Sequence, residues 1–486
     1  MLYYRYRAIT RSGERRNTPM LWKHWWNLVR QLRGACTRQR TFLWMVLCLA
    51  GMTVRTDLLG VTSIVRGLGL LAVCYDRLLD LLHSHALQLE PLTRLWCGVV
   101  CRQPGLLRIG GRIVLVGDGI KIPKAGKKMP GVKKLHQASE SNTKPEYIFG
   151  HSCQAVAVLL QAASSVFAVP LGCRIHEGVV SSNRDQRTLL DKMILLINAL
   201  HIAEPFVFAA DAYYASGKIV RGLLATGNHL VTRVKTNAVA YARPPEPNAD
   251  APRKRGRPRT YGHKLRLISL LSDDHTLTQV LSPIYGETDV ILRYRTVDLL
   301  WRPVGILVRF VAVRHPHRGS IVLMCTDLTM APLDIIRLYG LRFKIELSFK
   351  QALRVVGAYA YHFWMATMTP ISRKSGNQYL HRKTAVYRDA VRRKLAAYHR
   401  HIQLGLIAQG VLQILSATVP TLVWRSFGSW LRTIRTGLAP SEQVTAIALR
   451  HSLPQFLADD ADASIFTKFL RERIDVTRSE GSRLVA

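Results

Sequence analysis

Acidic residues are scarce in this sequence. Against 69 Lys and Arg stand only 31 Asp and Glu over 486 residues, a formal net charge of +38. Self-repulsion on that scale works against a compact fold unless a polyanionic partner or bound counterions offset it. Cysteine is sparse too: its 8 copies are irregularly spaced and no CxxC pair occurs. That argues against a disulfide framework or a zinc ribbon and for free thiols in a reducing compartment. His399 and His401 have no cysteines nearby to complete a zinc site. Long apolar runs are also missing. The longest, Thr41–Val54, covers about 14 residues before Arg55, short of the ~20 that cross a bilayer. It lies too far from Met1 for a signal peptide, so a soluble cytoplasmic protein without a membrane role is expected.

What is present is enough to build cores. Hydrophobic residues make up 48%, which excludes a disordered basic tail, and the length predicts two to four domains. The first forty residues are basic and weakly patterned, and a helical pattern follows to about Val100. Within it, Gly60–Leu71 reads either as the recognition helix of a helix-turn-helix, with Gly51 in the preceding turn, or as ordinary helix packing. From Gly111 the texture changes. Arg112–Asp118, Tyr147–Leu160, Val166–Ile175, Phe206–Asp211 and His229–Lys235 read as strands; Arg184–Leu200 and Ser216–Ala225 read as helices. This pattern predicts a mixed α/β sheet. A Pro-, Gly- and Arg-rich stretch, 242–261, then interrupts it, and more strand-like sequence follows, including Ile306–Val313 and Ile321–Cys325. The expected division is a basic helical region over 1–105 that binds nucleic acid and an α/β domain over 106–235 and 326–360. A β-rich insertion occupies 236–325 and a helical region 361–486.

The candidate chemistry lies in acids at strand ends. Asp118 closes one apolar strand and Asp211 another. A carboxylate there is costly unless a cation or donor meets it, and the carboxyl ends of strands are where open α/β sheets bind ligands. Singly, each Asp is a turn or helix cap; as a pair on neighbouring strands they suggest a divalent metal site, since hard Mg²⁺ takes carboxylate oxygens. A long helix is expected over 333–355. On it Tyr339, Arg342, Glu346 and Lys350 are spaced 3, 4 and 4, one face of the helix, beside an apolar stripe of Leu338, Leu341, Ile345, Phe349 and Ala352. The face reads either as a site group or as an ordinary surface ladder of i,i+4 ion pairs.

Together these segments resemble an insertion-sequence transposase of the DDE class, in the branch with the Y-R-E-K signature. The resemblance runs from about Thr41 to Ala446 and rests on VGDG with Asp118, FAADAYY with Asp211, and TDL (Thr326–Leu328) leading into YGLRFKIELSFK. It implies an RNase H-like (retroviral-integrase-like) mixed sheet with a β-rich insertion, flanked by helical N- and C-terminal regions. It also implies that Asp118, Asp211 and Glu346 bind two Mg²⁺ ions, with Mn²⁺ able to substitute, and that Tyr339, Arg342 and Lys350 contact DNA phosphates. The implied activity is cutting at the ends of a mobile element and joining the 3′-OH ends to target DNA. A homodimer holding both ends in a bacterial, nucleoid-associated cytoplasm completes the expectation. The sequence departs from the family in two places. The lysine often found seven after the glutamate is replaced by Leu353, leaving Lys350 or Arg354 to serve, and Phe343 stands where many members carry Trp after the signature Arg.

Other features bear on DNA. Arg255-Gly256-Arg257-Pro258 resembles the core of an AT-hook, whose arginines enter narrow minor grooves, and reads otherwise as a solvated loop. The 121–144 loop after Asp118 carries Lys121, Lys124, Lys127, Lys128, Lys133, Lys134 and Lys144, phosphate-binding groups next to the acids. It is not a P-loop, because Gly126-Lys127 lacks the required upstream Gly and Ser/Thr. Trp301, in the insertion, is read either as a core residue or as stacking on an unpaired base, as aromatics do in that family's insertion. Two alternatives stand beside the transposase: a non-enzymatic DNA-binding protein derived from one, and an RNase H-like nuclease without strand transfer. A protein using its charge on an anionic membrane surface lacks the amphipathic anchor.

Overall fold

The computed structural model describes residues 21–137, 145–245, 259–428, 434–435, 437–459, 464–478, 481–482 and 484. Five helices open this part of the chain: α1 (Leu21–Val29), α2 (Gln39–Val54), α3 (Gly60–Gly67), α4 (Cys74–His83) and α5 (Leu89–Cys101). The apolar run is α2, buried from Phe42 to Val54. Among the described residues no single helix is long and apolar enough to cross a membrane. α3 packs as a core helix: Val61, Ile64 and Val65 are buried, and a Cβ on Gly51 would meet Ile64 Cγ2 at 2.3 Å. Gly51 thus sits in mid-helix, where its missing side chain lets two helices approach closely. α1 falls within the stretch expected to be weakly patterned. Lys23 and His24 interrupt its stripe of Leu21, Trp22, Trp25 and Val29 in the sequence, yet that stripe is fully inside.

The strands follow as β1 (Arg108–Ile109), β2 (Arg112–Pro123), β3 (Lys133–His136), β4 (Tyr147–Ala162), β5 (Ser165–Ile175), β6 (Val179–Val180), β7 (Phe206–Ala210) and β8 (His229–Arg233). Helices α6 (Leu189–Ala199) and α7 (Gly217–Leu224) lie between them. β2 is the pivot: it pairs antiparallel with β4, β4 pairs antiparallel with β5, and on its other side β2 pairs parallel with β7, as β7 does with β8. Numbered along the chain, these five strands stand in the order 3-2-1-4-5. Alternate residues of β2 and β7 feed two separate cores. Ile113, Leu115, Phe206 and Phe208 enter the core shared with the terminal helices, and Val114, Val116, Val207 and Ala209 enter the opposite one. Burial on both faces is why these strands read as continuous apolar runs.

The later strands are β9 (Val239–Tyr241), β10 (Lys264–Arg266), β11 (Thr278–Leu281), β12 (Ile291–Trp301), β13 (Ile306–His315) and β14 (Gly319–Cys325). β14 pairs with β8, so this segment continues the central sheet. Two short helices come next, α8 (Pro332–Leu341) and α9 (Lys344–Arg354), then β15 (Gln378–Tyr379), paired with β6. The chain closes with α10 (Ala385–Thr418), α11 (Pro420–Phe427), α12 (Glu442–Ala458) and α13 (Ile465–Arg471). α10 is buried almost continuously from Ala397 to Ser416 and packs on α2, α4, α12 and β5, joining both ends of the chain to the sheet. The fold is therefore a large mixed α/β sheet with helical N- and C-terminal regions.

Candidate active site

The register of the parallel pair sets the site. Val116 lies opposite Ala209, so Asp118 and Asp211, each two residues further on, stand at the same level; Asp211 follows the end of β7, whereas β2 does not end at Asp118 as expected but runs on, paired with β4, to Pro123. Gly117 is required just before Asp118, because a Cβ there would lie 2.4 Å from the buried Phe208 ring. The backbone N–H of Gly119 donates to Asp118 Oδ1 at 2.7 Å. Asp211 caps a 3₁₀ turn, Ala212–Tyr214, and accepts from the N–H of Tyr213 at 3.0 Å. The cap and the strand-end acid are thus one residue in two roles.

The expected long helix is broken. α8 ends at Leu341 and α9 begins at Lys344, and the bonds across the break run from Arg342 N to Tyr339 O, Ile345 N to Arg342 O and Glu346 N to Phe343 O. These are i→i+3 bonds, which tighten the backbone into 3₁₀ geometry. α8 thereby lies over β8 and β14 while α9 lies over β2 and β5. Leu338, Leu341, Ile345 and Ala352 are buried, as the stripe predicts. At the break Arg342 faces the sheet: Nη1 meets Asp118 Oδ2 at 3.3 Å and Nη2 meets Glu346 Oε1 at 2.8 Å. Tyr339 is half-buried beside it, and Lys350 is exposed one turn beyond Glu346.

Electrostatics ties the acids together. Burial raises the Asp118 carboxyl to about 6, and Asp211 and Glu346 push the same way, against the Gly119 N–H and Arg342. The Tyr214 hydroxyl is held above the usual phenol range by burial and by Asp118 and Asp211. Among the described residues no three His, Cys, Asp or Glu side chains are grouped to hold one ion, and the Arg342 guanidinium bonds to both Asp118 and Glu346. In chemistry the donor set still suits a hard divalent cation: carboxylate oxygens on ordered elements, with burial and then the neighbouring acids holding Asp118 above its ordinary range.

A family model described as DDE superfamily endonuclease matches residues 31–298. The chain belongs to this family. The matched span contains Asp118 and Asp211 and ends before Glu346. A cryo-EM structure of a piggyBac transposase synaptic complex with hairpin DNA is similar to this DDE endonuclease over 94% of this chain and 85% of that one, at 11% identity and a TM-score of 0.38. No curated protein sequence matches.

Elsewhere in this DDE endonuclease the expected DNA-contacting residues divide. Lys121 and Lys127 are exposed, and Lys128 is half-buried, donating from Nζ to Ala366 O at 3.1 Å. Lys124 differs from its neighbours. It is buried, donates to Tyr359 O at 2.6 Å and Tyr361 O at 3.2 Å, and sits 3.6 Å over the Tyr361 ring. Burial lowers its ammonium to about 7, so it fastens the chain after α9 to the end of β2 and does not face solvent. Lys133 pairs with Glu177 at 3.4 Å, and Lys134 lies over the Tyr147 ring. Trp301 is 6% exposed and belongs to the core. Lys144, Arg255 and Arg257 lie outside the described residues.

Sequence reasoning missed one feature of the site. A cavity of about 490 Å³ opens beside Tyr339, Arg342 and Phe343, with Arg233, Tyr285 and Arg318 in its wall. Arg233 ends β8 as Asp211 follows β7, a strand-end position that could have marked it. Nothing in the spacing of Tyr285 or Arg318 points there.

Proposed function

We propose that this DDE endonuclease is a DNA transposase of the Y-R-E-K branch, which cuts at the ends of its mobile element and joins the 3′-OH ends to target DNA. The observation that carries the reading is the convergence of Asp118 and Asp211 at one level of two parallel strands, with Glu346 linked to Asp118 through Arg342. The strand order 3-2-1-4-5 supports an RNase H-like catalytic unit over 106–235 and 326–360. In this reading 236–325 would be an insertion whose last strand joins the central sheet, and 1–105 a DNA-binding region. Asp118, Asp211 and Glu346 would hold Mg²⁺, which when bound activates water or a DNA 3′-OH and stabilises the leaving oxygen. Arg342 would turn from the carboxylates to a DNA phosphate, a forked donor exchanging one oxyanion for another. Tyr339 and Lys350 would hold the phosphates on either side. Lys127 and Lys128, with Arg255 and Arg257, would bind DNA further out. The protein would act as a homodimer, because two ends must be held together, in a bacterial cytoplasm on the nucleoid.

A second reading draws on the same arginine. With Arg342 bonded to two of the three acids, the chain would be a transposase-derived protein that binds DNA without cutting it. Linear DNA carrying terminal inverted repeats, incubated with Mg²⁺, separates the two. Metal-dependent nicking that disappears in Asp118→Ala, Asp211→Ala and Glu346→Ala supports the enzyme. Nicking unchanged in any one of them removes that residue from the site, and binding without nicking favours the second reading. In either case affinity should fall steeply with salt.

A further inference from the structure

Of the tryptophans described, Trp22, Trp25, Trp44, Trp96, Trp301 and Trp424 are buried and Trp26 is half-buried, whereas Trp364 is 61% exposed. It is displayed by an ordered support. The next residue, Met365, belongs to a small buried core with Met368, Leu380 and Val391. The backbone around it is bonded to the segment that follows β2: Met365 N to Lys128 O at 3.0 Å, Ile371 N to Lys127 O at 2.9 Å and Lys134 N to Ser375 O at 2.9 Å. Exposing so large an apolar side chain on a fixed scaffold has no benefit for folding, since its burial would contribute favourably.

The two segments that carry it hold cations and no acids; β6, which pairs with β15, follows Glu177, and that acid is paired with Lys133. No Asp or Glu occurs between Glu346 and Asp389, and none from Gly119 to Ser139. The two segments meet here, and Lys127, Arg373, Lys374 and Arg382 are exposed on them. A second exposed aromatic, Tyr379, lies in the same segment with the Arg382 guanidinium 4.9 Å from its ring centroid. Cations that follow a backbone, interleaved with aromatic faces, are what a nucleic acid with open bases requires.

We propose that Trp364, with Lys127, Arg373 and Lys374, is a platform for the DNA strand leaving the active site, and that Trp364 stacks on an unpaired base of that strand. The proposal rests on the DNA-processing reading above. β2 fixes the platform's distance: from Asp118 the strand runs five residues to Pro123, about 16 Å at its usual rise. The platform begins just past that point, so it meets DNA several nucleotides from the bond that is cut.

The test is a binding measurement that needs no cleavage, on the full-length protein. Probes are a duplex ending near the cut, the same duplex with a short single-stranded extension on the platform side, the fully paired version of that extension, and heparin. The extended probe should quench a tryptophan signal that is absent in Trp364→Phe, and heparin, a polyanion without bases, should not. Trp364→Ala should weaken the extended probe by about five- to a hundredfold, the range for losing one stacked base, and leave the short duplex unchanged. Trp364→Phe should restore most of that affinity. An extended probe bound as tightly by Trp364→Ala as by the parent would overturn the proposal, as would a preference of the parent for the fully paired extension. So would a change confined to oligomeric state in sedimentation, which would make Trp364 a protein contact. Quenching without nicking would leave the platform standing and count against the transposase, and nicking without quenching would do the reverse.

Discussion

Arg342 Nη1 lies 3.3 Å from Asp118 Oδ2, although 224 residues separate them. The same guanidinium holds Glu346 through its other nitrogen at 2.8 Å. One planar cation therefore offsets two of three converging acids, and the sequence spacing of Arg342 and Glu346, i and i+4, supplies only half of that arrangement.

Removing this cation has a direct electrostatic consequence. In Arg342→Ala, Asp118 keeps the repulsion of Asp211 and Glu346 and loses the charge that opposes it, so its carboxyl should move further above about 6. The acid limb of the pH–activity profile, or a carboxyl resonance followed by NMR, should shift upward. Arg342→Lys keeps the charge without the two-pronged geometry and should fall between. An acid limb that does not move in Arg342→Ala would mean that the bridge has no electrostatic weight in solution.

Asp118 itself links function to stability. Its carboxyl is raised to about 6 in the folded chain, against about 3.9 for an unfolded aspartate. Between those values the folded state binds a proton that the unfolded state has released, so stability falls as pH rises through the window. The cost is complete above about pH 6 and absent below about pH 4. Asp118→Asn should therefore be more stable than the parent near neutrality, by up to about 3 kcal/mol, and no more stable at pH 4. Urea midpoints at the two pH values check this. Because a cation held by Asp118 would compete with that proton, the metal concentration needed for half-maximal cleavage should rise as pH falls below about 6.

Gly117 gives a steric test of how Asp118 is placed. A Cβ there would lie 2.4 Å from Phe208 Cε2 and Cζ, and that ring is fully buried with nowhere to turn. Gly117→Ala should cost about 1–3 kcal/mol, as overpacking does, and should displace β2 against β7 with loss of cleavage. Gly119→Ala is the control, since its Cβ would meet only Cys153 O at 3.7 Å, ordinary contact. Equal urea midpoints for the two variants would contradict the packing argument.

The strands that carry Asp118 and Asp211 were legible because burial on both faces leaves an unbroken apolar run, and an acid that follows it is conspicuous; that β2 runs on past Asp118 to Pro123 was not legible. Where the sequence misled, the deciding partner is far away or the local signal is absent. Neither Arg342 nor Phe343 is a helix breaker, so the turn between α8 and α9 has no mark; it follows from packing each half on different strands. α1 was masked by cations on its outer side. The two tryptophans divide for the same reason: Trp301 takes the core position that was one of its two readings, and Trp364 had no reading at all. Trp301 ends β12 inside the core, whereas Trp364, in a stretch with no regular pattern, is on the surface. Likewise Lys124 and Lys127 look equivalent in the chain, and only Tyr359 and Tyr361, more than 230 residues on, distinguish them.

That distinction can be measured. Burial lowers the Lys124 ammonium from an ordinary 10.5 to about 7. Between those values the unfolded chain keeps a proton that the folded chain has shed, so this group's contribution makes stability rise with pH across the window. Below about pH 7 both states are charged and the folded state bears the full cost of burying the ammonium, on the order of 5 kcal/mol. Lys124→Met removes that cost but leaves the Tyr359 and Tyr361 carbonyls without their donor, at about 1–3 kcal/mol each. The two effects nearly cancel in total, so the informative quantity is the pH dependence. The parent's unfolding free energy should gain on that of Lys124→Met between about pH 7 and pH 10. Parallel curves over that range would show that Lys124 stays charged where it is buried, with the Tyr361 ring and the two carbonyls sufficient to keep it so.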